Sequence, residues 1–108
     1  MLLKEYDLKN REEDFRLLGA EAIESLKQEL NPDWLVKETH QIERKFLFNT
    51  YLEGLHFANL VAHLSEEINH HADIFLSFKR VELTIWTHNV KGLTKADFVL
   101  AAKIDALF

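Results

Sequence analysis

The chain has 108 residues, which suits one domain, and its 47% apolar and 29% charged composition is that of a globular protein able to bury a core without staples. It has no cysteine, so disulfide frameworks, thiolate metal sites and cysteine nucleophiles are excluded, and a reducing cytoplasmic setting is expected. Thirteen Lys and Arg against eighteen Asp and Glu give a net charge of −5, which argues against direct nucleic-acid binding. The apolar runs are far shorter than the roughly 18 residues needed to span a bilayer, and the acidic start is unlike a signal peptide, so no membrane association is expected.

In chain order, residues 1–12 are charged and weakly patterned and are expected to be a mobile extension, with residues 13–108 forming one domain. Phe15, Leu18, Ala22, Leu26 and Leu30 recur at helical spacing and predict a helix over 11–30, stopped by Asn31-Pro32. Two strands follow, at Trp34–Glu38 and Ile42–Phe48, joined through His40-Gln41 as a hairpin. In the second strand Leu47 breaks the alternation of Ile42, Phe46 and Phe48, which predicts partial cover on both faces. Asn49 or Thr50 can cap a second helix reaching about Ile68, with two adjoining stripes (Leu55, Ala58, Ala62, Ser65 and Phe57, Val61, Leu64, Ile68) facing a sheet. Gly54 inside that helix costs about 1 kcal/mol relative to alanine, which predicts a close helix–sheet approach there.

After the turn at Asn69–Asp73, two further alternating strands are predicted over 74–79 and 81–88. Thr94 then caps a last helix, with Asp97 completing a capping box. The order helix, strand, strand, helix, strand, strand, helix predicts an α+β domain: a four-stranded antiparallel sheet with helices packed on one face. The open face would carry Leu47, Phe75 and Trp86, and a second copy covering it predicts a homo-oligomer.

Six histidines are present, and His70, His71 and His88 fall near predicted element ends. They read either as solvated or backbone-bonded side chains or as three imidazoles at one end of a sheet. In the second case, groups with ordinary pKa values of roughly 6.5 suit proton transfer in both directions. A metal site is a further reading, but His70 and His71 as neighbours make an awkward chelate and no HExxH occurs. His56, His63 and His70 rise about 10 Å per step along a helix, too far apart for one ion, so no metal and no cofactor is expected. Glu66 is placed to orient a histidine, and Trp34 and Trp86 are either core or stacking surfaces. Nucleotide-cradling glycine motifs and the GxSxG elbow are absent.

The stretch from Glu66 to Asp105, EEINHHADIFLSFKRVELTIWTHNVKGLTKADFVLAAKID, resembles the pterin-4a-carbinolamine dehydratase family. Glu66 four residues before His70-His71, Thr87-His88 at a strand end, Gly92-Leu93-Thr94, Asp97 and Leu100-Ala101…Ile104-Asp105 carry the resemblance. Trp34, Ile42–Phe48 and Val61-Ala62 extend it upstream, to roughly residues 34–106. The resemblance implies an oligomeric α+β domain, dimer or tetramer, that dehydrates 4a-hydroxytetrahydropterin to quinonoid dihydropterin. It implies His70, His71 and His88 as catalytic residues, with Glu66, Asn69, Trp86, Thr87 and Asn89 joining them around the pterin. The chain departs from the family at Ala72, where proline is usual after the paired histidines, and at Ile74, where an aromatic is usual. Some members of the family serve as dimerisation or assembly cofactors, so a non-catalytic binding module using a helix face on a protein partner is the alternative.

Overall fold

A computed structural model describes residues 2–9 and 11–108. Its regular elements are α1 (Ala20–Lys27), β1 (Leu35–Lys37), β2 (Gln41–Leu47), α2 (Tyr51–Ile68), β3 (Asp73–Ser77), β4 (Arg80–Ile85) and α3 (Lys95–Asp105). The strands form one antiparallel sheet in the order β1-β2-β4-β3. The α+β class, the sheet and the element order expected from the sequence are those observed.

The inner sheet face follows from period-two alternation. Ile42 and Phe46 of β2, Val81, Leu83 and Ile85 of β4, and Ile74 and Leu76 of β3 point to the helices and join one core. Trp34, Phe98, Val99, Leu100 and Ile104 complete it, all fully buried. Each of the buried phenylalanines Phe46 and Phe98 stabilises the fold by about 2–3 kcal/mol relative to exposure. α3 is buried along almost its whole length, which places its N-terminus firmly against the end of β4.

Arg44 also faces inward, as the alternation implies for the residue midway between Ile42 and Phe46. Its guanidinium donates to Asp105 Oδ1 at 2.7 Å and lies 4.2 Å from the centre of the Phe46 ring. Asp105 also accepts from Trp34 Nε1 at 2.7 Å and from the Asn31 backbone at 2.9 Å. One carboxylate thereby ties the end of α3 to β2 and to the turn before β1.

Three expectations are corrected. The helix over 11–30 is replaced by a 3₁₀ turn at Glu12–Phe15, extended backbone at Arg16, and α1 beginning after Gly19. Phe15 and Leu18 are engaged elsewhere: Phe15 meets His70, and the Leu18 N–H bonds the Leu93 carbonyl at 2.9 Å. On α2 a single stripe is buried (Gly54, Phe57, Ala58, Val61, Ser65), while Leu55 and Ala62 face outward. Leu47 is 73% exposed rather than covered on both sides.

The expected close approach at Gly54 is present. A Cβ built there would stand 3.4–3.6 Å from Leu76, Val81 and Phe48 side chains. The N-terminal residues expected to form an extension are drawn against α3, and Leu3 is only 5% exposed. Among the described residues no helix is long and apolar enough to cross a membrane.

Candidate active site

Two chain reversals build the site. The first ends α2: Thr50 caps its start by accepting from the Glu53 backbone, and Asn69 ends it in the left-handed region at φ 54° and ψ 43°. Asparagine tolerates that conformation better than most residues. The reversal lets the His70 N–H return to the Ser65 carbonyl at 3.0 Å and turns His70 and His71 away from the helix axis. The second reversal follows β4. Thr87 bridges to Gly92 across a 3₁₀ turn at His88–Val90, closed by Lys91 in the left-handed region at φ 53°. His88 therefore sits on this turn rather than ending the strand.

These reversals adjoin, and an open cleft of about 530 Å³ lies between them. Asn69, His70, His71, Trp86, Thr87, His88 and Asn89 all line it, so seven of the eight expected site residues share one cavity. Glu66 stands outside the lining, where its Oε2 accepts a hydrogen bond from His71 Nε2 on the exposed end of α2. That contact joins Glu66 to one of the paired histidines.

His70 is held differently. It is buried, and its Nε2–H donates to Asp97 Oδ1 at 2.6 Å. A carboxylate can only accept here, so the bond fixes the proton on Nε2 and leaves Nδ1 as the acceptor of the neutral ring. Asp97 is fully buried at the start of α3, where the helix dipole favours a negative charge. Its other oxygen accepts from Thr87 Oγ1 at 2.9 Å and the Thr94 backbone at 2.8 Å. The Thr94 and Asp97 capping box is thus also the support of His70.

His88 stacks on Trp86 with ring centroids 3.8 Å apart and planes inclined by 21°. His40, from the β1–β2 hairpin, lies 4.6 Å from Trp86 as well. The hairpin reaches this position through Glu38 and Thr39, both left-handed, at φ 54° and 56°. The result is a flat aromatic shelf beside the paired histidines. Among the described residues no three His, Asp or Glu side chains gather as a metal ion would require.

Sequence reasoning did not assign Arg11, Phe15 or Asp73 to the cleft, nor His40 to the shelf, nor Asp97 to His70. The capping box was a signal for where Asp97 sits, but not for a partner 27 residues away. Asp73 follows directly from the His70-His71 turn. Nothing in the local pattern marks Arg11 or Phe15.

The fold and cleft define a small α+β domain with a histidine-rich pocket at one end of its sheet. The sequence matches the pterin 4 alpha carbinolamine dehydratase family over residues 16–107, and the chain belongs to that family. A relative from Rubrobacter xylanophilus named "Putative pterin-4-alpha-carbinolamine dehydratase" is 46% identical over 90 residues, 83% of each chain. A relative of the same name from Alkaliphilus metalliredigens is 38% identical over 88 residues, covering 82% of this chain and 79% of that one. Among solved structures, a transcriptional coactivator/pterin dehydratase from Brucella melitensis superposes with a TM-score of 0.78 at 27% identity, covering 85% of this chain and 98% of its own. A pterin dehydratase-like RuBisCO assembly factor of the alpha-carboxysome gives 0.59 at 26% identity, covering 69% of this chain and 88% of its own.

Proposed function

We propose that this protein is a cytoplasmic dehydratase that converts 4a-hydroxytetrahydropterin to quinonoid dihydropterin and water by histidine acid/base catalysis, as a homo-oligomer. The observation that carries this reading is the convergence of His70, His71 and His88 from two distant segments on one cleft, beside a flat Trp86 surface. Dehydration of the carbinolamine removes a proton from N5, delivers one to the 4a hydroxyl, breaks the C4a–O bond and closes the C4a–N5 double bond. Imidazoles supply both transfers near neutral pH with no covalent intermediate.

In this reading His70 and His88 serve as the acid/base pair. Asp97 holds His70 in one tautomer, and that support is already in place before substrate arrives. His71, steadied by Glu66, holds the pterin together with Asn69, Thr87 and Asn89. Trp86, with the His88 imidazole stacked on it, forms an aromatic wall of the cleft.

The test is the dehydration rate of enzymatically generated 4a-hydroxytetrahydropterin, followed by ultraviolet absorbance. Wild type should accelerate it. His70→Ala and His88→Ala should each lose about 10²–10⁴-fold, the usual reach of a general acid or base, and a chelator should change nothing. A folded wild type without acceleration sinks the reading.

That outcome would favour the second reading, a binding module for a protein partner. What supports it is the description of the two structural relatives as a coactivator and an assembly factor, together with the exposed Leu52 on α2 and Phe108 at the C-terminus. The three cleft histidines favour the enzyme, since a surface that only docks a protein has no need of them.

A further inference from the structure

The residues before position 16 lie outside the family match, yet two of them, Arg11 and Phe15, line the cleft. Their placement is anchored on both sides. Upstream, Leu3 is buried in the core, and Tyr6 donates from its hydroxyl to Asp14 Oδ1 at 2.7 Å. That hydrogen bond holds the Tyr6 phenol above the usual tyrosine range. The Lys95 ammonium, from the first turn of α3, sits 3.9 Å from the centre of the Tyr6 ring. Downstream, Leu18 is bonded to the Leu93 carbonyl, and Leu17 packs so closely on Gly92 that a Cβ there would stand 2.5 Å from its Cδ1. Between these anchors Phe15 presents its ring to His70 at 5.7 Å and 67°, forming a wall beside that imidazole.

Arg11 is the cation of this wall. Its only carboxylate within 4.0 Å among the described residues is Glu13, at 3.9 Å, and the two side chains are 47% and 61% exposed. Such a pair is weak, and most of the five guanidinium donors stay available. Among the described residues the only carboxylate lining the cleft is Asp73, and it forms no ion pair with Arg11. A pterin has an aminopyrimidine end rich in N–H donors and a substituent on its pyrazine ring. Asp73 suits the first as an acceptor, and Arg11 suits an anion on the second.

We infer that the segment preceding the family domain sets substrate specificity, with Arg11 selecting pterins whose side chain carries a carboxylate or phosphate. The inference rests on the dehydratase reading and names its substrate class. Its test is calorimetric binding of two stable oxidised pterins, pterin-6-carboxylate and 6-methylpterin, to the full chain at low salt. Wild type should bind the carboxylate about tenfold tighter, a ratio typical of one charge-assisted hydrogen bond. Arg11→Gln should bring the ratio near one, Arg11→Lys should recover part of it, and added salt should compress it in the wild type. A ratio unchanged by Arg11→Gln, or a wild type that binds both probes equally, overturns the inference and leaves the dehydratase reading standing. If neither probe binds folded wild type, both fall together.

Discussion

Asp97 combines two functions in one carboxylate: it completes the cap of α3 and it holds His70. Asp97→Asn replaces an acceptor by a donor beside Thr87 Oγ1, the Thr94 N–H and His70 Nε2, so at least one buried group loses its partner. The expected cost is about 1–3 kcal/mol in urea denaturation. Dehydration should slow by about 10–100-fold, because His70 loses the acceptor that fixes its tautomer. A loss of stability with an unchanged dehydration rate would reduce Asp97 to a cap. The Thr94–Asp97 spacing was legible in the sequence because capping is a local transaction. The bond to His70 was not, since it depends on how the end of β4 meets α3. Arg44 was overlooked for a related reason: alternation places it inward, but only the fold shows that Asp105 and two aromatic rings wait there.

At the scale of elements, α2 lies on the sheet with Gly54 at the crossing. The distances there decide what the glycine is for. Contacts of 3.4–3.6 Å to the Leu76, Val81 and Phe48 side chains are ordinary van der Waals separations, so a methyl fits and a larger group does not. Gly54→Ala should therefore raise stability by about 0.5–1 kcal/mol through helix propensity and reduced unfolded-state entropy, measured as a higher urea midpoint. Gly54→Leu should lower it by overpacking. The existence and type of α2, β2, β4 and α3 were readable because each carries a long periodic pattern with a cap or turn at its end. The region 11–18 was misread for a physical reason. Its apolar residues sit at helical spacing, but Phe15 and Leu18 find partners on the cleft and on Leu93, which no single helix face could satisfy.

For the molecule as a whole, the outer sheet face is the unfinished surface. Leu47 is 73% exposed and Phe75 56%, while Leu35 adds a third apolar side chain on the edge strand β1. Between them run charged neighbours such as Lys45 and Glu82, which pair across β2 and β4. A mixed face of this kind fits contact with a second copy better than a permanent lining of water. The proposed oligomer makes the double variant Leu47→Glu, Phe75→Glu sediment as a monomer where the wild type sediments as a dimer or tetramer. A wild type that is already monomeric at micromolar concentration would remove the oligomer from the proposal. The sequence marked Leu47 and Phe75 as open-face residues through alternation alone. It gave no sign of Leu52, which lies outside both apolar stripes of α2, or of Phe108, which follows the end of α3.

The cleft gathers its walls from residues 11–15, 69–73 and 86–89, segments that are far apart along the chain. Under the proposed function, a pterin lodged there would act as a strap across the fold, its binding energy adding to the stability of the whole domain. At a hundred times its dissociation constant that amounts to about 2.7 kcal/mol. For a protein of this size such a difference changes how often the chain opens to a protease, and hence how much of it a cell retains. The supply of pterin would then govern the lifetime of the protein as well as its turnover.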